Sequence, residues 1–483
     1  MQAIPEPPTP APNILVVLVD QMRRDALSCC GDPNLRTPHL DALAARGTMF
    51  EAAVSTFPAC VPFRFSLMTG AFAHSRNVPA LGYRLSPAER TLGEAVAACG
   101  HATAWIGKWH LYSAYGVTGG LTLSQAARTP VPASHRRGWQ RWLGFELRNH
   151  YHDSWIFEDD SPRPRRLAGH QTDALFDLAM AHLRGCPRER PFFLVLSVEA
   201  PHPPFMATPA HLARVRARGP LRPRPNVDVD AIRFFPPEWY EPTGPAGAVD
   251  PADRDARARV FTANMQAWYA MIEQIDDNMG RLDAALAAEG LREETIVVFL
   301  SDHGELGGSH GMLGKAQPWE ESCGIPLIVA GPGIAAGRRV GLPVGTEDLF
   351  PTLVGLAGGR EGGPGLDLSA MLRGGPEPDR AGVLLEFVLE TRPGRDWHDA
   401  TWRAIRTRRH KYAVQGDRSG ARPWLLHDLA ADPHEQRNLI EDPAAAATAR
   451  ALHGALMRLL DATGDDFALA PAWGLPGRAC VPP

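Results

Sequence analysis

Short apolar runs alternate with helical patterns along this chain, and that alternation limits the fold more than any other feature. The first run, "ILVVLV" (Ile14 to Val19), is apolar at every position, the mark of a strand buried on both faces. The stretch "TPHLDALAARG" reads as a helix: Thr37 can cap it, Pro38 suits its first turn and Gly47 can end it. Further strands are predicted in "TMFEAAV" (Thr48 to Val54), "ATAWIG" (Ala102 to Gly107), "FFLVLSV" (Phe192 to Val198), "TIVVFLS" (Thr295 to Ser301) and "PLIVAG" (Pro326 to Gly331). A long helix is predicted over Ala256 to Glu289, ending at Gly290. There Val260, Met265, Tyr269, Ile272, Ile275, Met279 and Leu282 recur mostly at three- and four-residue steps. The pattern predicts an α/β fold with a large, mostly parallel sheet sandwiched by helices.

At 483 residues the chain exceeds one small domain. Ser134 to Arg166 and Gly219 to Asp253 break the rhythm and read as excursions over the rim of the sheet. Composition turns Gly-rich from Gly358 to Gly375, and "WRAIRTRRHKYAV" and "PWLLHDLAADPHEQRNL" follow. We therefore expect a large α/β domain over 1–375 and a smaller C-terminal α+β unit of strands and helix over 376–483. The net charge of −4 gives no reason to expect nucleic acid or membrane as a partner. "MQAIPEPPTPAPN" has neither a basic start nor an apolar segment, and "ILVVLV" is far too short to span a bilayer, so a soluble cytoplasmic protein is expected. Cys29, Cys30, Cys60, Cys99, Cys186, Cys323 and Cys480 show no CxxC spacing, which argues against a disulfide framework and a cysteine zinc site.

In open α/β sheets ligands bind beyond the carboxyl ends of the strands. Asp20 and Gln21 follow the first strand, Lys108 and His110 the "ATAWIG" strand, and Glu199 and His202 the "FFLVLSV" strand. Asp302 and His303 follow "TIVVFLS", with His310 and Lys315 beyond. One polar strand end is commonly a helix cap; four are harder to explain so. Asp20, Gln21, Asp302 and His303 offer mainly hard oxygen ligands and one imidazole, a set suited to Ca²⁺, Mg²⁺ or Mn²⁺. Arg64, Lys108, His110, His202 and Lys315 are cationic or can become so. Cations around a divalent metal imply a multiply charged oxyanion between them, sulfate or phosphate.

In "ACVPFRFSLMTG" Cys60 opens a predicted helix, and Arg64 at i+4 shares its face. A helix start favours anions. A thiolate, however, is a poor partner for hard cations, so direct thiol catalysis does not suit the surroundings.

These residues carry a resemblance. "CVPFR" is similar to the C-x-P-x-R signature of type I sulfatases, and "SLMTG" continues it in the manner of that family. "GKWHL", "APHPP", "SDHGE", "HGMLGK", "TPHLDALAARG" and "HDLAADPHEQRNL" extend the similarity from about Asn13 to Leu439. The resemblance implies membership of the alkaline phosphatase superfamily and hydrolysis of small-molecule sulfate monoesters. It also implies oxidation of Cys60 to formylglycine by a formylglycine-generating enzyme or its equivalent. One divalent ion, calcium or alternatively manganese, would bind Asp20, Gln21, Asp302, His303 and the modified Cys60. A hydroxyl of the hydrated aldehyde would attack sulfur. His202 or Lys315 would protonate the leaving alcohol, and His110 would deprotonate the second hydroxyl to expel sulfate. Arg64 and Lys108 would hold the modified residue and the sulfate oxygens.

The chain departs from many family members at Gln21, where they have a second aspartate, and at His303, where they have asparagine. Related phosphonate monoester hydrolases share both departures but lack the "GKWH" lysine and histidine. A phosphonate monoester or phosphodiester hydrolase is therefore the alternative reading, and a non-catalytic anion-binding protein with unmodified Cys60 is a second.

Overall fold

The structure, a computed structural model, describes residues 11–113, 121–147, 150–234, 250, 252–388, 401–417 and 420–467. The strands are β1 (Asn13–Val19), β2 (Gly47–Phe50), β3 (Ala102–Lys108), β4 (Arg141–Phe145), β5 (Trp155–Glu158), β6 (Arg165–Arg166) and β7 (Phe192–Ser197). They continue as β8 (Thr295–Ser301), β9 (Leu327–Ala330), β10 (Arg338–Val340), β11 (Val383–Phe387), β12 (Thr401–Arg406), β13 (His410–Asp417) and β14 (Gly420–Asp428).

Ten strands form one sheet in the order β10-β2-β9-β8-β1-β7-β3-β4-β5-β6. Its centre, β8-β1-β7-β3-β4, is parallel throughout. β9 runs antiparallel to both its neighbours, and β5 and β6 add antiparallel pairs at the far edge. β1 is buried along its whole length because both faces are covered. Ile14, Val16 and Leu18 join the apolar layer that contains the Cys60–Thr69 helix. Leu15, Val17 and Val19 point the other way, toward Met271 and Ile275 of the Arg254–Ala288 helix.

Several sequence expectations need correction. Ser134 to Arg166 is no excursion, since it contains β4, β5 and β6 and widens the sheet. Its arginines obscured this: Arg141 and Arg165 flank Glu158 in ion pairs at the sheet edge. The second strand stops at Phe50, and beyond it Ala53 and Val54 make only single bridges to Val344 and Gly324. Gly47 does not end the first helix. Arg46 does, and Gly47 opens β2 in a place where a Cβ would come within 2.2 Å of the Val329 carbonyl oxygen. Thr37 makes no side-chain capping bond to its helix. Its hydroxyl instead receives the Ser28 N–H and reaches Asp41. The second irregular stretch, from Gly219, has no helix or strand through 234, and 235–249 and 251 lie outside the described residues, as does Cys480.

β11 to β14 form a separate antiparallel meander, with the Ala446–Thr463 helix laid across it. Leu384, Ile405, Tyr412, Val414 and Leu426 pack there against Leu452, Leu456 and Leu460. This small sheet leans on the large one: Trp402 Nε1 donates to the Ala316 carbonyl at 3.2 Å, and the Glu386 N–H to the Thr56 carbonyl at 2.8 Å. Among the described residues no helix is long and apolar enough to cross a membrane.

Candidate active site

Four adjacent parallel strands decide where the polar residues meet. Val19 of β1 is level with Ser301 of β8, and Ser197 of β7 is level with Leu18 and Gly107. Asp20, Lys108, Glu199 and Asp302 therefore emerge side by side at one sheet edge, though they come from distant parts of the chain. Gly107 permits this closeness, since a Cβ there would lie 1.9 Å from the Ser197 carbonyl oxygen. All four residues are buried.

Cys60 is the first residue of the Cys60–Thr69 helix, and Pro62 falls in the first turn, where a missing N–H breaks no helical bond. The helix aims Cys60 Sγ into the strand ends. Sγ lies 2.9 Å from Lys315 Nζ, 3.2 Å from His303 Nε2 and 3.6 Å from Asp20 Oδ1. Arg64, one turn on, donates to Asp302 Oδ2 at 3.2 Å, to Ser197 Oγ at 2.9 Å and to the Lys108 carbonyl at 3.0 Å. Lys108 Nζ donates to Asp20 Oδ2 at 2.6 Å.

The electrostatics follow from burial and crowding. Burial and the Asp20 carboxylate push the Cys60 thiol up to about 11, although Lys315 opposes them. A cysteine in that state is a poor nucleophile. Asp302 is pushed up to about 7 by burial and by Asp20. Asp20 loses charge stability to burial but gains more from Lys108 and Lys315, which hold it well below the usual range.

Donor atoms converge here beside the Lys108 and Lys315 ammonium groups. His303 Nδ1 faces the Gly304 carbonyl at 3.0 Å, which assigns the proton to Nδ1 and leaves a lone pair on Nε2. That lone pair lies 3.4 Å from both Asp20 Oδ1 and Asp302 Oδ1. Gln21 Nε2 donates to Glu305 Oε2, so the amide oxygen is the other atom, and it is buried without a partner. One ligand atom each from Asp20, Cys60, Asp302 and His303 fit within 4.8 Å of one another. A hard divalent ion suits these carboxylate and imidazole donors, and Gln21, whose N–H bonds Asp302 Oδ1 at 3.1 Å, would add its orphaned oxygen to them.

Residues 12–359 match the Sulfatase family. The chain belongs to the sulfatase family. It is 31% identical to the ulvan-active sulfatase of Formosa agariphila over 94% of this chain and 82% of that one. It is 30% identical to a multifunctional alkaline phosphatase superfamily protein of Trinickia caryophylli, over 91% and 93%. Its fold superposes on the crystal structure of a putative sulfatase from Bacteroides fragilis with a TM-score of 0.76 at 26% identity, covering 96% and 98% of the two chains. The enzyme is a sulfuric ester hydrolase.

The remaining predicted site residues of this sulfatase fall into two groups. His110 and His202 are buried beside the cluster. Burial, Lys108 and Arg64 hold His110 well below the ordinary histidine range. Burial and Lys315 do the same to His202, whose Nδ1 faces the Pro203 carbonyl at 2.6 Å. His310 stands apart: it stacks on Trp319 with ring centres 4.7 Å apart and meets Asn226 Nδ2 at 3.2 Å.

Sequence reasoning gave no role to Ser197, Glu199 or Glu305. Ser197 receives Arg64, Glu199 lies 3.7 Å from Lys108 Nζ, and Glu305 receives Gln21. Glu199 stands at a predicted strand end and Glu305 within "SDHGE", but their partners stand far off in the chain, where no spacing rule applies.

Proposed function

We propose that this sulfatase cleaves sulfate monoesters with a formylglycine made from Cys60 by an external oxidising enzyme. The observation that carries this is the meeting of Cys60 Sγ with the Asp20, Asp302 and His303 donors and with Lys315. Sγ marks the place where the formylglycine oxygens would stand. The high pKa of the thiol supports the need for another nucleophile. A divalent ion on Asp20, Gln21, Asp302, His303 and the modified Cys60, calcium or alternatively manganese, supplies charge that lowers the pKa of a hydroxyl there.

The chain's own residues do the rest. Arg64 braces Asp302 and the end of β3, which fixes the nucleophile's helix against the donor set. The ammonium groups of Lys108 and Lys315 flank Asp20 and Cys60 and would meet the sulfate oxygens. His110, held neutral, can take a proton at a ring nitrogen to release sulfate. His202 is held neutral too, which favours Lys315 as proton donor to the leaving alcohol. Every one of these residues precedes 376, so the same reading gives the chemistry to 1–375 and a supporting role to 376–483.

Gln21 and His303 favour a second activity on phosphonate monoesters, because they occupy the positions that set the sequence apart. The test is kcat/KM for an aryl sulfate and an aryl phosphonate monoester sharing one leaving group, at matched pH and metal. A higher value for the sulfate is expected. A clear preference for the phosphonate would replace the reading.

A further inference from the structure

Glu305 is a buried carboxylate with no part in the chemistry above. It follows β8 by four residues and is fully enclosed. One of its oxygens accepts the backbone N–H of Gly307 at 2.8 Å and of Gly314 at 2.7 Å. The other accepts Gln21 Nε2. Those bonds close the turn that runs from Glu305 to Gly314, and Leu306 N–H to the Gly314 carbonyl at 2.8 Å closes it further. Lys315, the next residue, reaches Cys60.

Gln21 is held at its backbone as well. It has φ of 70°, in the left-handed region that a non-glycine residue adopts only when its surroundings enforce it. Its N–H donates to Asp302 Oδ1 at 3.1 Å, and its carbonyl receives Trp268 Nε1 at 3.3 Å. What the backbone does not decide is the sense of the side-chain amide. An amide presents either an acceptor or a donor to a given point, and the two senses are nearly the same in shape. An acceptor-only carboxylate on one side forces NH₂ toward itself and the oxygen toward the other side. That oxygen is the orphaned Oε1.

We infer that Glu305 is a positioning residue that fixes the Gln21 amide with its oxygen toward the metal donors, and so sets the affinity of the site for a divalent ion. An aspartate in place of Gln21 would need no such partner, because both of its oxygens are acceptors. An amide ligand does. Glu305 also joins the donor set to the turn that delivers Lys315, so one carboxylate serves both. The inference rests on the proposed metal set and deepens it.

An isosteric substitution, followed by a donor–acceptor swap, tests this. Glu305→Gln keeps size and shape but turns an acceptor into a donor toward Gln21. Gln21 then flips and presents NH₂ to the ion. Calcium and manganese affinity, measured by calorimetry on the metal-stripped protein, should fall about 10- to 100-fold. In the double variant Gln21→Glu with Glu305→Gln, donor and acceptor exchange places and a carboxylate oxygen again faces the ion. Affinity should return to within a few-fold of the wild type, and thermal melting should show both variants folded. A merely structural role for Glu305 would leave the gain from Gln21→Glu the same in the wild-type and Glu305→Gln backgrounds, whereas positioning makes it larger in the latter. Unchanged affinity in Glu305→Gln, or a double variant no better than the single, overturns the inference while leaving the metal set standing. A wild-type protein that binds neither ion overturns both.

Discussion

Lys315 Nζ lies 2.9 Å from Cys60 Sγ, across 255 residues of chain. It also lies 2.9 Å from His303 Nε2, so one ammonium touches both the nucleophile's position and a metal donor. If Lys315 gives a proton to the departing alcohol, its loss should matter most when that alcohol is a poor leaving group. Lys315→Ala should lower kcat by about 10² to 10⁴ on an alkyl sulfate and much less on a nitrophenyl sulfate. An equal loss on both would assign Lys315 to holding the sulfate oxygens.

Cys60→Ala should abolish turnover while leaving the melting curve close to wild type, because one small side chain at a helix start is removed. Peptide mass should show active wild-type enzyme lighter at Cys60 than cysteine requires. Near-normal turnover in the variant would rule out formylglycine.

Asp302→Ala should lose bound metal and activity together. Elemental analysis of purified protein, beside the wild type, reads the first, and a sulfate-ester assay the second. Full metal content in the variant would place the ion elsewhere.

Lys108 and Asp20 are both buried and 2.6 Å apart. Lys108→Met leaves the buried Asp20 without its nearest cation, Arg64 standing 3.7 Å away, at a cost of up to about 3–5 kcal/mol in a chelator-treated sample. Added divalent ion should recover part of that loss. Urea unfolding checks both, and a loss under about 1 kcal/mol, typical of exposed pairs, would contradict the burial argument.

His74, in the turn after the Cys60–Thr69 helix, meets Glu386 Oε2 of the small sheet at 2.6 Å, with Asp465 3.6 Å away and the Thr463 carbonyl at 3.1 Å on the other nitrogen. Burial lowers its pKa, but Glu386 and Asp465 outweigh burial and raise it above the ordinary value. A raised folded pKa contributes stability that is fully present below the unfolded pKa. That stability is lost as pH climbs through the raised value. Melting temperature should therefore drop as pH rises above the ordinary histidine range, and His74→Gln should flatten that drop. A wild-type and variant pair with parallel pH profiles would refute it.

Local sequence determined much of this protein. Continuous apolar runs fix β1, β7 and β8 because burial on both faces requires them, and three- and four-residue steps fix the Arg254–Ala288 helix for the same reason. The strand-end residues and the C-x-P-x-R stretch could be read in order, since short motifs keep their spacing along the chain. Tertiary structure decided what spacing does not encode. Ser134 to Arg166 became sheet because an exposed edge strand can carry arginines that a buried strand cannot. Arg64 turned out to brace Asp302 and Ser197, and Glu305 to face Gln21. A hydrogen bond across some 280 residues depends on strand order and register, and these emerge only when the whole sheet is packed.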